Sequence, residues 1–294
     1  MSAAAPWGRP SPRLRRRKAV NLLMEALATV AALVAVALLG TVIVSVLRRG
    51  LPAISLDFFT KEPAGFGAPG GGLANAFVGS LVIVAIAVLI ALPVGVLTAL
   101  YLSEFAPKRL EETIRLALDV LNGIPSIVIG IFVFGILVIS HQQSGLAGSF
   151  ALAIIMLPLI ARSTQEVLRV VPETLREAAY ALGVSRWRTV VGIILPASIG
   201  GIMTGTMLAI ARAAGETAPL LFTSSLTAPF VTWDPRQPLQ SVPLTIFELS
   251  ESPDPLDHAR AWAAALALIS FVLLASLLSR AVLARSRRKL GQVG

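Results

Sequence analysis

Six apolar stretches, each long enough to cross a bilayer as a helix, alternate along the chain with short polar segments. Uncharged runs cover Ala26–Leu47, Leu73–Ser103, Val120–Ser140, Thr189–Ala211 and Ala261–Ser279; a sixth runs from about Leu146 to Leu168, with Arg162 and Glu166 near its end. This pattern predicts an all-α integral membrane protein with six transmembrane helices. The first run has 22 uncharged residues. That exceeds the roughly 7–15 apolar residues of a signal peptide, so a retained span is expected. Pro93 should kink the second helix. Asn122-Gly123-Ile124-Pro125 should break the third, which is tolerated in lipid only where protein or water covers the freed backbone. Pro158 lies inside the fourth.

The polar segments divide the chain further. Residues 1–19 carry Arg9, Arg13, Arg15, Arg16, Arg17 and Lys18 and predict a disordered basic arm, either lying on an anionic membrane surface or serving only as a topology signal. Residues 20–72 comprise the first span and an outer loop rich in Gly and Pro, with GFGAPGGG near its end. Residues 73–283 form the expected core and 284–294 a basic tail. Within the core, Glu104–Arg115 predicts a short charged turn and HQQSG a tight outer one. Residues 217–260, polar and proline-rich, carry Asp234, Glu248, Glu251, Asp254 and Asp257 and are expected outside.

Composition agrees with a membrane protein: 55% of residues are hydrophobic and 14% charged, with a mean hydropathy of +0.80. Soluble domains carry about 25% charged residues. A net charge of +9 raises the question of nucleic acid, but the basic residues are distributed as a topology signal. Segments on the side of the termini hold nineteen Arg and Lys and the opposite loops five, with Arg212 in neither set. Both termini, and the loop between the fourth and fifth spans, are therefore expected on the cytoplasmic side. No cysteine is present, which excludes disulfides, thiol catalysis and Cys-based metal sites. His141 and His258 lie far apart outside the apolar runs and predict no metal site. The four lysines, Lys18, Lys61, Lys108 and Lys289, are followed by Ala, Glu, Arg and Leu, so no Walker A site exists and ATP hydrolysis would need a partner. No metal cluster or Ser/His pair suggests an embedded enzyme.

The loop after the fourth span carries the most informative motif. Glu177–Pro196 reads EAAYALGVSRWRTVVGIILP. A polar helix should start at Pro172, where a missing N–H is harmless, and end at Gly183, which can turn out of a helix without steric penalty. Ala178, Ala179 and Leu182 would form its close-packing face, with Glu173, Arg176 and Glu177 polar. Such a helix of about 173–188 can dock into a groove on another protein, or it can be a connector resting on lipid headgroups. The spacing EAA-x3-G-x9-I-x-LP resembles that of the cytoplasmic loop of ABC importer permeases at every position of the motif. The resemblance implies a type I ABC importer permease fold in which this coupling helix, through Glu177, Ala178, Ala179, Leu182 and Gly183, engages an ATPase.

At the outer end of the fifth span stand Arg212, Glu216 and Thr217. A charge within a bilayer costs about 2.5–3.5 kcal/mol on insertion scales and usually faces an interior path. Arg212 and Glu216 share a helix face, and either form a permanent ion pair or offer the guanidinium to a passing oxyanion. Arg162, followed by Ser163 and Thr164, could form a second anion site or be a snorkelling anchor. Asp119 and Asn122 flank the broken third span. ARAAGETAPLLFT, residues 211–223, is similar to the A-type permeases of phosphate importers, with the likeness covering about residues 70–283. It implies a phosphate-translocating subunit in a bacterial cytoplasmic membrane, paired with a homologous C-type permease. It further implies two copies of an ATPase that binds ATP and Mg²⁺, and an external phosphate-binding protein. A permease for another oxyanion or small solute is the alternative; a secondary transporter would leave the EAA loop without a role.

Overall fold

The computed structural model describes residues 12–65, 68 and 70–290, and every regular element among them is helical. The chain divides into two compact units, residues 1–49 and 50–294. The first is a single helix, α1 (Pro12–Gly50). The basic arm expected over 1–19 is helical from Pro12 onward, because proline suits a first turn and no helix breaker follows it before the span; residues 1–11 lie outside the described residues. Most apolar side chains of α1 are exposed, as suits a helix surrounded by lipid, and Val46 near its end is buried.

The second unit begins with a short 3₁₀ turn (Leu51–Ala53) and α2 (Leu56–Thr60), followed by α3 (Ala74–Glu104), which runs unbroken through Pro93. Next come α4 (Lys108–Gly123) and α5 (Ser126–Val133), the latter continued by a π turn (Phe134–Val138). The expected break is present, since Pro125 lacks the N–H that would continue the ladder, and the two segments meet at 97°. The expected charged turn after Glu104 is instead the first part of α4, an amphipathic helix entered through Pro107. Then follow α6 (Gly145–Val170), α7 (Glu173–Ala181), α8 (Arg186–Thr189), a π turn (Val190–Ile194) and α9 (Leu195–Ala213). The π turn has a local cause: Pro196 has no N–H for the carbonyl of Gly192, and the Leu195 N–H bonds Val190 O five residues back. The chain closes with α10 (Ala218–Thr223), α11 (Val242–Glu251) and α12 (Pro255–Leu290). Among the described residues five helices are long and apolar enough to cross a bilayer, and six spans result when the bent α4–α5 pair is counted as one.

The core of this unit is α6, packed against α3. On α3 every fourth residue from Gly79 through Ile83, Ala87, Ala91 and Gly95 to Ala99 is buried. Gly79 at the start of this row meets Gln240, and the small residues farther along let the α3 and α6 backbones approach closely, the usual route to helix association in lipid. A Cβ on Gly95 would lie 3.0 Å from Ile160 Cγ2. On α9, Gly201 and Gly205 do the same against Val167 and Ser163 of α6. The segment 217–260, expected as an outer polar loop, is partly folded into the core. Pro219 of α10 sits over Gly130 of α5, Phe222 meets Phe134 edge-on with centroids 6.5 Å apart, and Leu239, Val242 and Leu244 are buried. Its carbonyls satisfy the start of α6: Gln237 O accepts from Gly145 N at 3.0 Å and Pro235 O from Leu146 N at 2.8 Å.

Candidate functional site: a surface helix and a charged turn

At the end of the second unit where α3 and α6 finish, α7 lies as a short surface helix. Pro172 flanks its start as the N-cap residue. Gly183, at φ +72°, turns the chain out of it. The Gly183 N–H donates to Tyr180 O at 2.9 Å and the Val184 N–H to Ala179 O at 3.0 Å, the paired bonds of a Schellman turn. Of the three residues expected on one packing face, the structure separates Ala179 from the others. Ala179 is 3% exposed and packs inward, whereas Ala178 and Leu182 point outward. The outward stripe is Leu175, Ala178 and Leu182, with Leu182 83% exposed. Positions three and four apart share a helix face, and Leu175 completes a set that neighbouring alanines obscured in the sequence. Glu177 is exposed and, among the described residues, forms no ion pair.

Arg176, read in the sequence as part of the polar face, is mostly buried. Its Nε and Nη2 both donate to Oε1 of Glu104, at 3.3 and 2.9 Å. Nη1 donates to Val171 O and to Oε2 of Glu173, each at 3.0 Å, and Nη2 also reaches Leu168 O at 3.2 Å. Burial alone would lower the Arg176 pKa; hydrogen bonding and charge pairing with Glu104, then with Glu173, outweigh it and hold the guanidinium above its ordinary value. Glu104, the last residue of α3, is 3% exposed. Around this pair lies an open cleft of about 870 Å³, also lined by Glu111, Arg169, Tyr180 and Arg186. Beside it the Arg186 guanidinium stacks 5.2 Å from the centroid of Phe105, the residue that follows α3.

The second group of predicted residues lies at the other end of α9. Arg212 occupies its last turn, and residues 214–217 make the turn into α10. Arg212 Nε and Glu216 Oε1 are 3.7 Å apart, close enough for charge attraction but beyond a hydrogen bond. Arg212 is 55% exposed and Glu216 17%, so the carboxylate is sheltered while the guanidinium stays open. Thr217 begins α10 without its hydroxyl capping that helix. Arg162 is not with them. It pairs with Asp119 of α4 and donates to Arg115 O at 3.3 Å, tying α4 to the middle of α6. Either role read for Arg162 in the sequence, a second anion site or a snorkelling anchor, would share its guanidinium with Asp119. Ser163 faces Gly205 on α9, so Arg212 is seven residues, roughly 10 Å, farther along the helix axis.

Residues 91–288 match the family of binding-protein-dependent transport system inner membrane components. The phosphate transport system permease protein PstA of Yersinia pestis is 42% identical over 248 residues, covering 84% of this chain and 84% of its own. The protein of the same name from Haemophilus influenzae is 39% identical over 268 residues, covering 90% of this chain and 94% of its own. Among solved structures, a bacterial alginate ABC transporter in complex with its pentasaccharide-bound periplasmic protein contributes a chain that matches with a TM-score of 0.60 at 13% identity, over 96% of this chain and 98% of its own. That likeness shows the fold, which is the ABC permease architecture expected from the EAA spacing. The chain therefore belongs to the binding-protein-dependent transport system inner membrane components, within the PstA-type branch of phosphate transport permeases.

Proposed function

We propose that this chain is one translocation subunit of an ATP-driven importer for inorganic phosphate. The substrate assignment rests on its close relationship to phosphate permeases across most of both chains. The geometric observation that carries the mechanism is α7, a surface helix that exposes Leu175, Ala178 and Leu182 at a polar end of the helices and is closed by a left-handed glycine. Exposed apolar side chains outside the hydrocarbon mark a docking face. Its partner is an ATPase on the cytoplasmic side, where the excess of Arg and Lys places this loop and both termini. Two ATPase copies would bind ATP and Mg²⁺, a homologous companion permease would complete the pathway, and an external binding protein would deliver phosphate to the opposite face. Bringing a dianion in against about 100 mV costs roughly 4.6 kcal/mol before any concentration gradient, so a passive pore would run outward.

In this reading Arg212 presents an open guanidinium fork to phosphate. Glu216, near but not hydrogen-bonded, keeps that fork in place between passages and yields to the incoming oxyanion. The Thr217 hydroxyl, unused as a helix cap, supplies a neutral donor beside it. The test is reconstitution of the chain with its ATPase, companion permease and binding protein in proteoliposomes, following ATP-dependent uptake of phosphate, sulfate and molybdate. Uptake restricted to phosphate is the expected result. Uptake of sulfate or molybdate instead would reassign the substrate, and uptake without ATP would remove the importer mechanism.

A further inference from the structure

Resting on the reading of α7 as the ATPase-docking helix, we infer that Arg176 and Glu104 are a positioning pair that fastens α7 to the ends of α3 and α6. The force of the ATPase thereby enters the α3–α6 pair directly and does not pass only along the chain into α9. The pair touches neither phosphate nor nucleotide.

The connection on the α6 side is short and heavily bonded. Only Val171 and Pro172 separate α6 from α7, and Arg176 reaches back over both to bond Leu168 O and Val171 O. The same guanidinium crosses to α3, whose terminal residue Glu104 takes two of its N–H groups. Three elements thus meet on one planar donor fork, in a setting where the Arg176 side chain is 12% exposed and that of Glu104 4%. A buried carboxylate paired in this way resists separation, because pulling α7 away would leave a desolvated charge without a partner. Behind the joint, α3 and α6 pack together, with Gly148 of α6 against Ile83 and Ile160 against Gly95, so a displacement received at Glu104 is passed to both helices.

The connection on the α9 side is built differently. Leu182–Ser185 is a turn that depends on a positive φ at Gly183, with no atom within 4 Å of where a Cβ would stand. Beyond it, α8 touches the end of α3 through the stacking of Arg186 and Trp187 on Phe105. Arg186 and Trp187 are solvent-exposed, and among the described residues no charged hydrogen bond joins them to α3. Fixed on one side and turning on the other, α7 delivers its motion to α3 and α6 first.

The experiment uses the complete complex in proteoliposomes and measures phosphate uptake and ATP hydrolysis in the same preparation. Arg176→Gln and Glu104→Gln are each expected to leave hydrolysis within about twofold of the parent while uptake per ATP falls about tenfold, within the usual range of coupling energies. Arg176→Lys keeps the charge but not the fork and should recover part of the loss. A second measurement needs no destabilising substitution. The chain has no cysteine, so spin labels can be placed at Ser103→Cys on α3 and Thr174→Cys on α7, both exposed. Their separation should be narrow and the same with and without ATP in the otherwise native chain. Unchanged uptake per ATP in both glutamine variants would overturn the inference, as would a label separation that shifts with nucleotide. If Arg176→Gln prevents assembly, the label separation decides. Failure of the unsubstituted complex to bind an ATPase or to import phosphate would instead remove the underlying functional reading.

Discussion

Replacing Gly183 with residues of graded tolerance for positive φ isolates the backbone requirement of the docking turn from every packing effect. At φ +72° an L-residue is strained, yet nothing lies within 4 Å of the missing Cβ, so an added methyl group has room. The whole effect of Gly183→Ala is therefore conformational, about 1–2 kcal/mol. If that energy falls on the turn alone, its population relative to an opened form drops by a factor of about five to thirty. Folding should survive, because the turn is exposed and the core is remote from it. Transmission through the docked helix should weaken, since the bonds from Gly183 N to Tyr180 O and from Val184 N to Ala179 O hold the end of α7 in shape. Asparagine enters the left-handed region more readily than alanine, and β-branched valine less readily. ATP-driven uptake should fall in the order Gly, Asn, Ala, Val, while the amount of assembled complex recovered from membranes changes little. Uptake is measured in proteoliposomes and assembly by co-purification of the ATPase. A flat series, or one ordered by side-chain volume instead of φ tolerance, would show that the left-handed backbone at Gly183 does not limit uptake.

Three further outcomes follow from the other charged groups. Arg212→Ala should abolish most phosphate uptake with the complex intact, and Arg212→Lys should rescue only part of it; normal uptake by the alanine variant excludes Arg212 from the path. Arg162→Gln should instead lower the thermal midpoint, because Asp119 loses its partner, and adding Asp119→Asn should restore much of it; additive losses would argue against a direct pair. Burial, and then the nearby charge of Asp257, raise the pKa of Glu248 against the lowering effect of its hydrogen bond from Gln240. A carboxyl whose folded pKa lies above its unfolded value binds protons better when folded, so its contribution to stability declines as pH rises through that window. Glu248→Gln removes this decline, and its thermal midpoint relative to the parent should be higher at about pH 7.5 than at about pH 4.5; the opposite trend would show that ionised Glu248 is favoured in the fold.

Run length made the membrane spans readable from sequence, because about 20 apolar residues admit few alternatives to a crossing helix. The break at Asn122–Pro125 and the turn at Gly183 were readable for the same kind of reason, as each is imposed locally by proline or glycine. What sequence did not disclose depends on distant partners. Arg176 stands beside Glu177 in a polar run, and only the fold brings it to Glu104, 72 positions earlier. Arg162 resembled a free cation until α4 delivered Asp119 to it. Ala178 and Ala179 are chemically alike and 100° apart on the helix, so only packing separates the outward residue from the inward one. Residues 217–260 read as an outer polar loop by composition, yet Leu239–Thr245 are buried, with Gln240 bonded to Asn75 and Leu226 O and Val242 N to Ser80.

The wide turn at Val190–Ile194 has a geometric consequence for the whole of α9. A π turn accommodates one residue more than an α turn, so every position beyond it is set back in phase by about 100° relative to an uninterrupted helix. A wheel drawn from Arg186 without that correction aims Arg212 at the wrong azimuth, and shortening the bulge by a single residue would keep each side chain beyond it while shifting the helix along its axis. Pro196 thus acts as a phase shifter, setting at one end of the rod the compass bearing of a guanidinium at the other.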